Sequence, residues 1–216
     1  MKVRLAADIQ GANDRIAREN REILKQNSVF TVNLMSSPGA GKTTLLERTL
    51  SALKDRYAVG VIEGDIATTA DAERIEKTGA PVVQINTGGA CHLDAGMIRD
   101  ALGEFDLAGL DMLIVENVGN LVCPAEFGVG EDCKAMLLSV AEGDDKPLKY
   151  PLMFRESSAL VINKVDLLPF TDFDMGKARR DSLSINPQLS VLPVSCRTGE
   201  GLAGWYGWLE GNLASR

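Results

Sequence analysis

The spacing of apolar and polar positions changes period several times along the chain. Leu5, Ile9, Ala12, Ile16, Ile23 and Leu24 recur at roughly helical spacing among many charges, which predicts a helix over 5–26 with a thin apolar stripe. Short β-branched runs follow: VFTVNLM (29–35), AVGVIEGD (58–65), PVVQINT (81–87), DMLIVENVG (111–119), KAMLLSVAEG (134–143), SALVINKV (158–165) and LSVLPVSC (189–196). Helical spacing fills most of the gaps, over 41–54, 68–78, 92–103 and 172–184, with a last helix after Gly199. Strands that are apolar almost throughout, separated by helices, belong in a parallel sheet covered on both faces. The expected fold is α/β: a doubly wound, mostly parallel sheet with helices on both faces. Residues 1–27 read as an N-terminal helix that packs on the body or meets a partner, and 28–216 as one domain. The polar stretch EGDDKPLKYP, 142–151, reads as a surface excursion.

Composition narrows the classes. A chain of 216 residues builds one sizeable core, and 45% apolar with 25% charged residues is ordinary for a soluble globular protein. A net charge of -7 without a basic cluster argues against a nucleic-acid partner. The longest apolar runs fall far short of the ~20 residues that span a bilayer, and charge enters the N-terminus too early for a signal peptide. No membrane association and a cytoplasmic location are expected. The four cysteines, Cys91, Cys123, Cys133 and Cys196, are too dispersed for a disulfide scaffold.

The first strand runs into SSPGAGKTT and then a helix. Backbone N–H groups of Pro38–Gly41 and Thr44, where a donor exists, and the helix N-terminus can cradle phosphates. Lys42 reaches the β- and γ-phosphates, and the Thr43 hydroxyl ligates Mg²⁺. Ser36 stands where the usual pattern has its first Gly. Downstream, NKVD closes another strand. Asp166 can accept from two guanine donors that adenine lacks, while Asn163 ties this loop to the phosphate loop or the base edge, and the Lys164 stem covers the ring. Ser195, Cys196 and Arg197 offer backbone N–H groups for guanine O6, so the nucleotide is read as GTP. Two acidic strand ends remain, Asp65 with Thr68 and Thr69 behind it, and Glu116 followed by Gly119. Buried carboxylates need a cation, and with Thr43 they suit Mg²⁺. Asp65 either positions the attacking water or stands behind the Mg²⁺ shell; Gly119 N–H can sense the γ-phosphate. No Gln suited to orienting water follows, so slow turnover is expected. Lys42, Asp65 and Glu116 are the candidate catalytic residues.

The chain has one histidine, His92, beside Cys91. Both follow the third strand, and Cys123 follows Gly119, so all three fall on the edge where the strands end and ligands bind. They are either a metal site or buried neighbours. Two thiolates and an imidazole suit Zn²⁺ or Ni²⁺, one ligand short of a closed tetrahedron; water or a second copy of the chain could supply the fourth. Cys133 is a weaker auxiliary candidate, and Cys196 reads as loop packing. Arg99 and Lys146 are cations that could act across an interface.

Together SSPGAGKTTLL, EGDIATTADAERI, NTGGACHLDA, ENVGNLVCPAEFGVGE, VINKVDLLP and PVSCRTGEGL resemble the HypB family of nickel-insertion GTPases in [NiFe]-hydrogenase maturation, in the SIMIBI class of P-loop GTPases. The resemblance covers nearly the whole chain. It implies that Cys91, His92 and Cys123 form a metal site within the GTPase domain and that GTP promotes a homodimer. It also implies transfer of metal toward the hydrogenase large subunit with a HypA-like zinc protein. The sequence carries neither a His-rich stretch nor a Cys-x-x-Cys-Gly-Cys motif, so nickel storage and an N-terminal metal site are not expected. The helix 5–26 is then a candidate docking surface for the HypA-like partner. A UreG-like urease accessory GTPase would have a Pro between Cys and His, a chaperone for another cofactor would need no Cys/His site, and a metal scaffold would use nucleotide only structurally.

Overall fold

The centre of the sheet is buried on both faces, and its chain order follows from that. In the computed structural model, which describes residues 6–66 and 69–215, α1 (Ala6–Gln26) precedes three strand–helix units. These are β1 (Phe30–Ser36) with α2 (Lys42–Leu53), β2 (Val59–Asp65) with α3 (Ala70–Glu76), and β3 (Val82–Asn86) with α4 (Ala95–Leu102). Then come β4 (Met112–Glu116), a short α5 (Cys123–Glu126), β5 (Cys133–Ser139), and the short helices α6 (Lys146–Lys149) and α7 (Pro151–Glu156). β6 (Ala159–Asn163), α8 (Met175–Ile185), β7 (Ser190–Pro193) and α9 (Leu202–Ala214) follow. The seven strands lie in the order β3-β2-β4-β1-β5-β6-β7, every pair parallel.

Side chains alternate across the sheet. Val32, Leu34, Ile114, Leu137 and Val161 face α2 and α9, around the buried Trp205, whose indole N–H donates to Thr49 Oγ1 at 2.9 Å. Met136, Leu138 and Ile162 face Phe154 of α7 and Ala178 of α8. Ile62, Leu113 and Val115 meet α4 and Leu24 of α1. β1, β4 and β6 are buried at every position, whereas the outer strands β3 and β7 have no fully buried residue, as the apolar runs require. The chain turns one way from β1 toward β4, β2 and β3 and the other way toward β5, β6 and β7. The crevice at the end of β1 is therefore the topological switch point, where ligands bind. Among the described residues, no helix is long and apolar enough to cross a membrane.

Three expectations change. The run KAMLLSVAEG leaves the sheet at Ser139, because a capping box between Ser139 and Glu142 turns it into a 3₁₀ turn. The stretch 142–151 is more than a surface excursion: it contains α6, and the Glu142 carboxylate accepts from the Ser37 hydroxyl. The buried face of α1 also differs. Asn13, Asn20 and Leu24 are its buried positions, Ile16 and Ile23 are only half-buried, and Ala12 is exposed. Leu5, Thr68 and the side chain of Ile9 lie outside the described residues. The inward line of α1 is amide-rich because Asn13 and Asn20 bond to backbone on two other segments, which satisfies their burial.

One of those segments comes very close to α1. Gly130 has φ +109°, and a Cβ there would lie 2.6 Å from Asn20 Cβ and 3.0 Å from Ala17 O. Gly130→Ala therefore adds both a left-handed strain and a clash, and should destabilise by about 2–3 kcal/mol. Urea unfolding should show a lower midpoint with an unchanged slope.

Candidate nucleotide and metal site

β1 ends at Ser36, and the loop 37–41 leads into α2 at Lys42. Gly41 has φ +104°, and a Cβ there would stand 2.5 Å from Asn163 Nδ2, so this position needs glycine. Ser36, the departure from the usual pattern, serves a neighbour in the loop, since Lys42 Nζ donates to its Oγ at 2.9 Å. Burial pulls the Lys42 ammonium below its ordinary value, with Glu116 opposing. The Thr43 hydroxyl donates to Glu116 Oε1 at 3.0 Å, while Glu116 Oε2 is buried without a hydrogen-bond partner. Burial pushes the Glu116 carboxyl up to about 7, against Lys42 and Thr43. A cleft of about 290 Å³ opens over Pro38, Lys42, Thr43 and Glu116.

Two residues in or beside this cleft lacked a motif. Glu63 lies opposite Glu116 in the β2–β4 register, is buried, and leaves its Oε2 unpartnered. Burial, then Glu116 and Asp65, push its carboxyl up to about 8. Its signal in sequence was an acidic residue inside an otherwise apolar strand, two positions before Asp65 and hence on the same face. Arg74 is the other: it donates to Thr44 Oγ1 at 3.0 Å and to Glu47 Oε1 at 3.1 Å, joining α3 to α2. Asp65 itself is half-buried at the end of β2, and its Oδ1 accepts from Ile66 N at 2.6 Å. Two buried carboxylates with free oxygens beside a threonine hydroxyl form a donor set that fits a divalent cation.

A second cleft of about 420 Å³ shares Gly41 and Thr44 with the first and is lined by Asn163, Lys164, Asp166, Cys196 and Arg197. Asn163 joins both neighbouring loops: Nδ2 donates to Ala40 O at 2.9 Å, and Oδ1 accepts from Cys196 N at 3.1 Å. Lys164 Nζ donates to Gly39 O at 2.7 Å. Ser195 Oγ donates to Asp166 Oδ1 at 2.6 Å, fixing the carboxylate at the cleft. The Cys196 thiol is buried and pushed up to about 11 by that burial, consistent with packing. Gly119 sits against the phosphate loop: a Cβ there would lie 3.0 Å from Pro38 Cα.

Beyond Gly119 the chain reaches Cys123, the first residue of α5. Its Sγ lies 3.2 Å from Cys91 Sγ, and Cys91 Sγ lies 3.7 Å from His92 Nδ1. Ligand atoms of Cys91, His92 and Cys123 all fall within 4.8 Å of one another. With metal–sulfur bonds of about 2.3 Å, little movement is needed for one ion to span them. The hydrogen bond with Cys91, then burial, raises the Cys123 thiol, whereas burial lowers His92 and favours the neutral, ligating imidazole. Phe127 stacks on His92, with ring centroids 4.4 Å apart. Asn117 connects this site to the strand edge, its Oδ1 accepting from Leu93 N at 3.0 Å and its Nδ2 donating to Asn33 Oδ1 at 3.1 Å. Cys133 is the first residue of β5, away from the ends of the strands where the cluster lies, and packs on the core, its thiol pushed up to about 12 by burial. It is not part of the cluster. Arg99 turns to α1, and Lys146 lies over the Tyr150 ring.

The parallel sheet, phosphate loop and Asn-Lys-x-Asp loop define a P-loop nucleotide-binding protein. The family model described as CobW/HypB/UreG, nucleotide-binding domain, matches residues 30–193. The hydrogenase maturation factor HypB of Rhizobium leguminosarum bv. viciae is 50% identical over 214 residues, 99% of this chain and 72% of that protein. The crystal structure of HypB from Helicobacter pylori in complex with nickel superposes with a TM-score of 0.89 at 39% identity, over 94% of this chain and 96% of that one. The signal recognition particle receptor FtsY of Elizabethkingia anophelis shares the fold, with a TM-score of 0.55 at 18% identity over 84% of this chain and 65% of its own. The chain belongs to the CobW/HypB/UreG family and, within it, to the HypB hydrogenase maturation factors.

The raised carboxyls set a pH dependence. Between the usual 4.5 and about 8, the folded protein holds protons on Glu63 and Glu116 that the unfolded chain has released. The stability these two groups contribute is thus fully present below this window and is lost as pH rises through it. Melting temperatures from pH 5.5 to 8.5 in a chelator should fall, and Glu63→Gln should flatten the decline.

Proposed function

We propose that this protein hydrolyses GTP to GDP and phosphate with slow intrinsic turnover and uses the cycle to carry nickel during [NiFe]-hydrogenase maturation. The observation that carries this reading is the single segment 116–123. It starts at a carboxylate bonded to Thr43, passes Gly119 against Pro38, and ends at a thiol beside Cys91. Movement of the segment with the γ-phosphate would change the ligand geometry at Cys123. The nickel complex of the Helicobacter pylori relative supports nickel as the cargo.

In this reading the loop of Pro38, Gly39, Ala40, Gly41 and Thr44 embraces the phosphates, and Lys42 contacts the β- and γ-groups. Gly119 N–H meets the γ-phosphate. Thr43 and Glu116 would hold Mg²⁺, with Asp65 as a further candidate ligand, and the ion would supply positive charge against the phosphates. Asp65 orients the attacking water. Asp166 accepts from guanine, the Lys164 stem covers the ring, and Ser195, Cys196 and Arg197 present backbone N–H groups to O6. Cys91, His92 and Cys123 hold the cargo ion, Ni²⁺ or Zn²⁺, with the fourth position filled by water or by a second copy of the chain. GTP promotes the homodimer. Residues 1–27 dock a HypA-like zinc protein, and 28–216 act as the GTPase domain, passing nickel toward the hydrogenase large subunit in the cytoplasm.

The test is Ni²⁺ and Zn²⁺ titration of the protein alone, with GDP, and with a non-hydrolysable GTP analogue, mass being followed in parallel. Binding should require Cys123, fail in Cys123→Ala, and differ between the two nucleotide states. Equal affinity in both states would end the gating reading. Asp65→Ala should lower steady GTP turnover about 100-fold, with GDP affinity retained; turnover at the wild-type rate would favour a metal scaffold with a structural nucleotide.

A further inference from the structure

The two segments that carry the candidate metal ligands share few direct bonds. The thiol contact joins Cys91 to Cys123, Phe127 stacks on His92, and Asn120 Nδ2 donates to Cys91 O at 3.2 Å. All of these lie in or beside the site, where Cys91 is exposed and the other two ligands are only half-buried. Before the ligands, Asn117 Oδ1 accepts from Leu93 N at 3.0 Å; beyond them, the connection comes from outside both segments, through α1.

Asn13 bridges them with one amide group. Its Oδ1 accepts from Ala95 N at 2.8 Å, three residues past His92, and its Nδ2 donates to Gly128 O at 2.8 Å, five residues past Cys123. Asn20, fully buried two turns further on, repeats the bridge: Nδ2 donates to Ala95 O at 2.8 Å and to Val129 O at 3.0 Å. Arg99 Nε donates to Asn20 Oδ1 at 2.6 Å, which leaves the Asn20 amide one orientation, with its NH₂ toward the two carbonyls. Arg21 adds a third connection, donating to Glu131 O at 3.1 Å from Nε. Both asparagines are buried, and each bonds to backbone on the same two segments.

We infer that α1 is the frame of the metal site, and that Asn13 and Asn20 are positioning residues that hold the Cys91–His92 and Cys123 segments at one ion's span. The inference rests on the reading of Cys91, His92 and Cys123 as the nickel site, and it gives the inner face of α1 a role of its own. A helix that clamps both ligand segments sets the ligand spacing before any ion arrives, and groups that orient ligands in this way typically account for about 10–100-fold in metal affinity. It also makes the ligand spacing sensitive to whatever contacts the exposed side of α1.

The test uses the full chain with two readouts. The first is Ni²⁺ affinity, with the nickel–thiolate absorption of the saturated protein. The second needs no metal: the rate at which diamide, which takes up the two thiol hydrogens, closes a Cys91–Cys123 disulfide, followed by mass. Asn13→Ala should weaken Ni²⁺ binding about 10–100-fold, alter the nickel–thiolate band and slow disulfide closure, with GDP binding retained as evidence of the fold. Should that variant not fold, Asn13→Asp decides the same question. It keeps the acceptor for Ala95 N but sets an oxygen against Gly128 O, and should show the same losses. Wild-type values for affinity, band and closure rate in the variants would overturn the inference while leaving the nickel reading intact. Slower closure in the variants of a protein whose wild type binds no nickel through Cys123 would uphold the frame and sink the nickel reading instead.

Discussion

The contact on which most of this molecule turns is a threonine hydroxyl resting on a half-satisfied carboxylate. Glu116 ends a strand buried at every position, its Oε1 takes the Thr43 proton, and its Oε2 has no hydrogen-bond partner. An ionised carboxylate in such a place costs several kcal/mol unless a cation answers it. The protein without ligand meets that cost by holding the proton, as the rise to about 7 indicates. Glu63, in register beside it, adds a second buried carboxyl and a second unpartnered oxygen. A divalent cation held by these carboxylates would take the place of both protons.

From that contact a short chain of bonds leads out of the cleft. Strand order puts β4 beside β1, so Glu116 and the phosphate loop leave the sheet side by side. The chain continues through Asn117, pinned to Leu93 N next to His92, and Gly119, lodged on Pro38, to Cys123. Nothing in this path is longer than a few residues. On the other side of β1, Glu142 reaches back to Ser37, and Asn163 reaches to Ala40.

Much of this was legible in the sequence, for physical reasons that differ by element. The strands were readable because burial on both faces demands apolar runs, and the phosphate loop because its glycines and lysine have few other uses together. Asn163, Lys164 and Asp166 fell where their spacing from a strand end put them. Glu63 was passed over because a single acid in an apolar strand carries no motif; only its register opposite Glu116 gives it meaning. The strand reading ran too far at Ser139 because the capping box with Glu142 looks, as a string of letters, like more strand. The helix α1 was read by its apolar stripe, yet its buried line runs through Asn13 and Asn20. Hydrophobic periodicity cannot anticipate a face that is chosen for hydrogen bonding to distant backbone.

The two sites differ in exposure, and that difference has a functional logic. Glu63, Glu116 and Thr43 are buried, and the proposed phosphoryl chemistry would gain there from exclusion of water. Cys91 is exposed, and His92 and Cys123 are half-buried, which suits the proposed receipt and release of an ion. A cargo site open to solvent cannot rely on burial to fix its ligands. It depends instead on what holds its segments, namely Asn117 from the nucleotide side and α1 from the other. Coupling of this kind is reciprocal: whatever factor the nucleotide imposes on nickel affinity, nickel must impose on nucleotide affinity. In the proposed cycle a loaded Cys91–His92–Cys123 site would favour one nucleotide state, and the few residues that connect Thr43 to Cys123 would tie release of the ion to departure of the γ-phosphate.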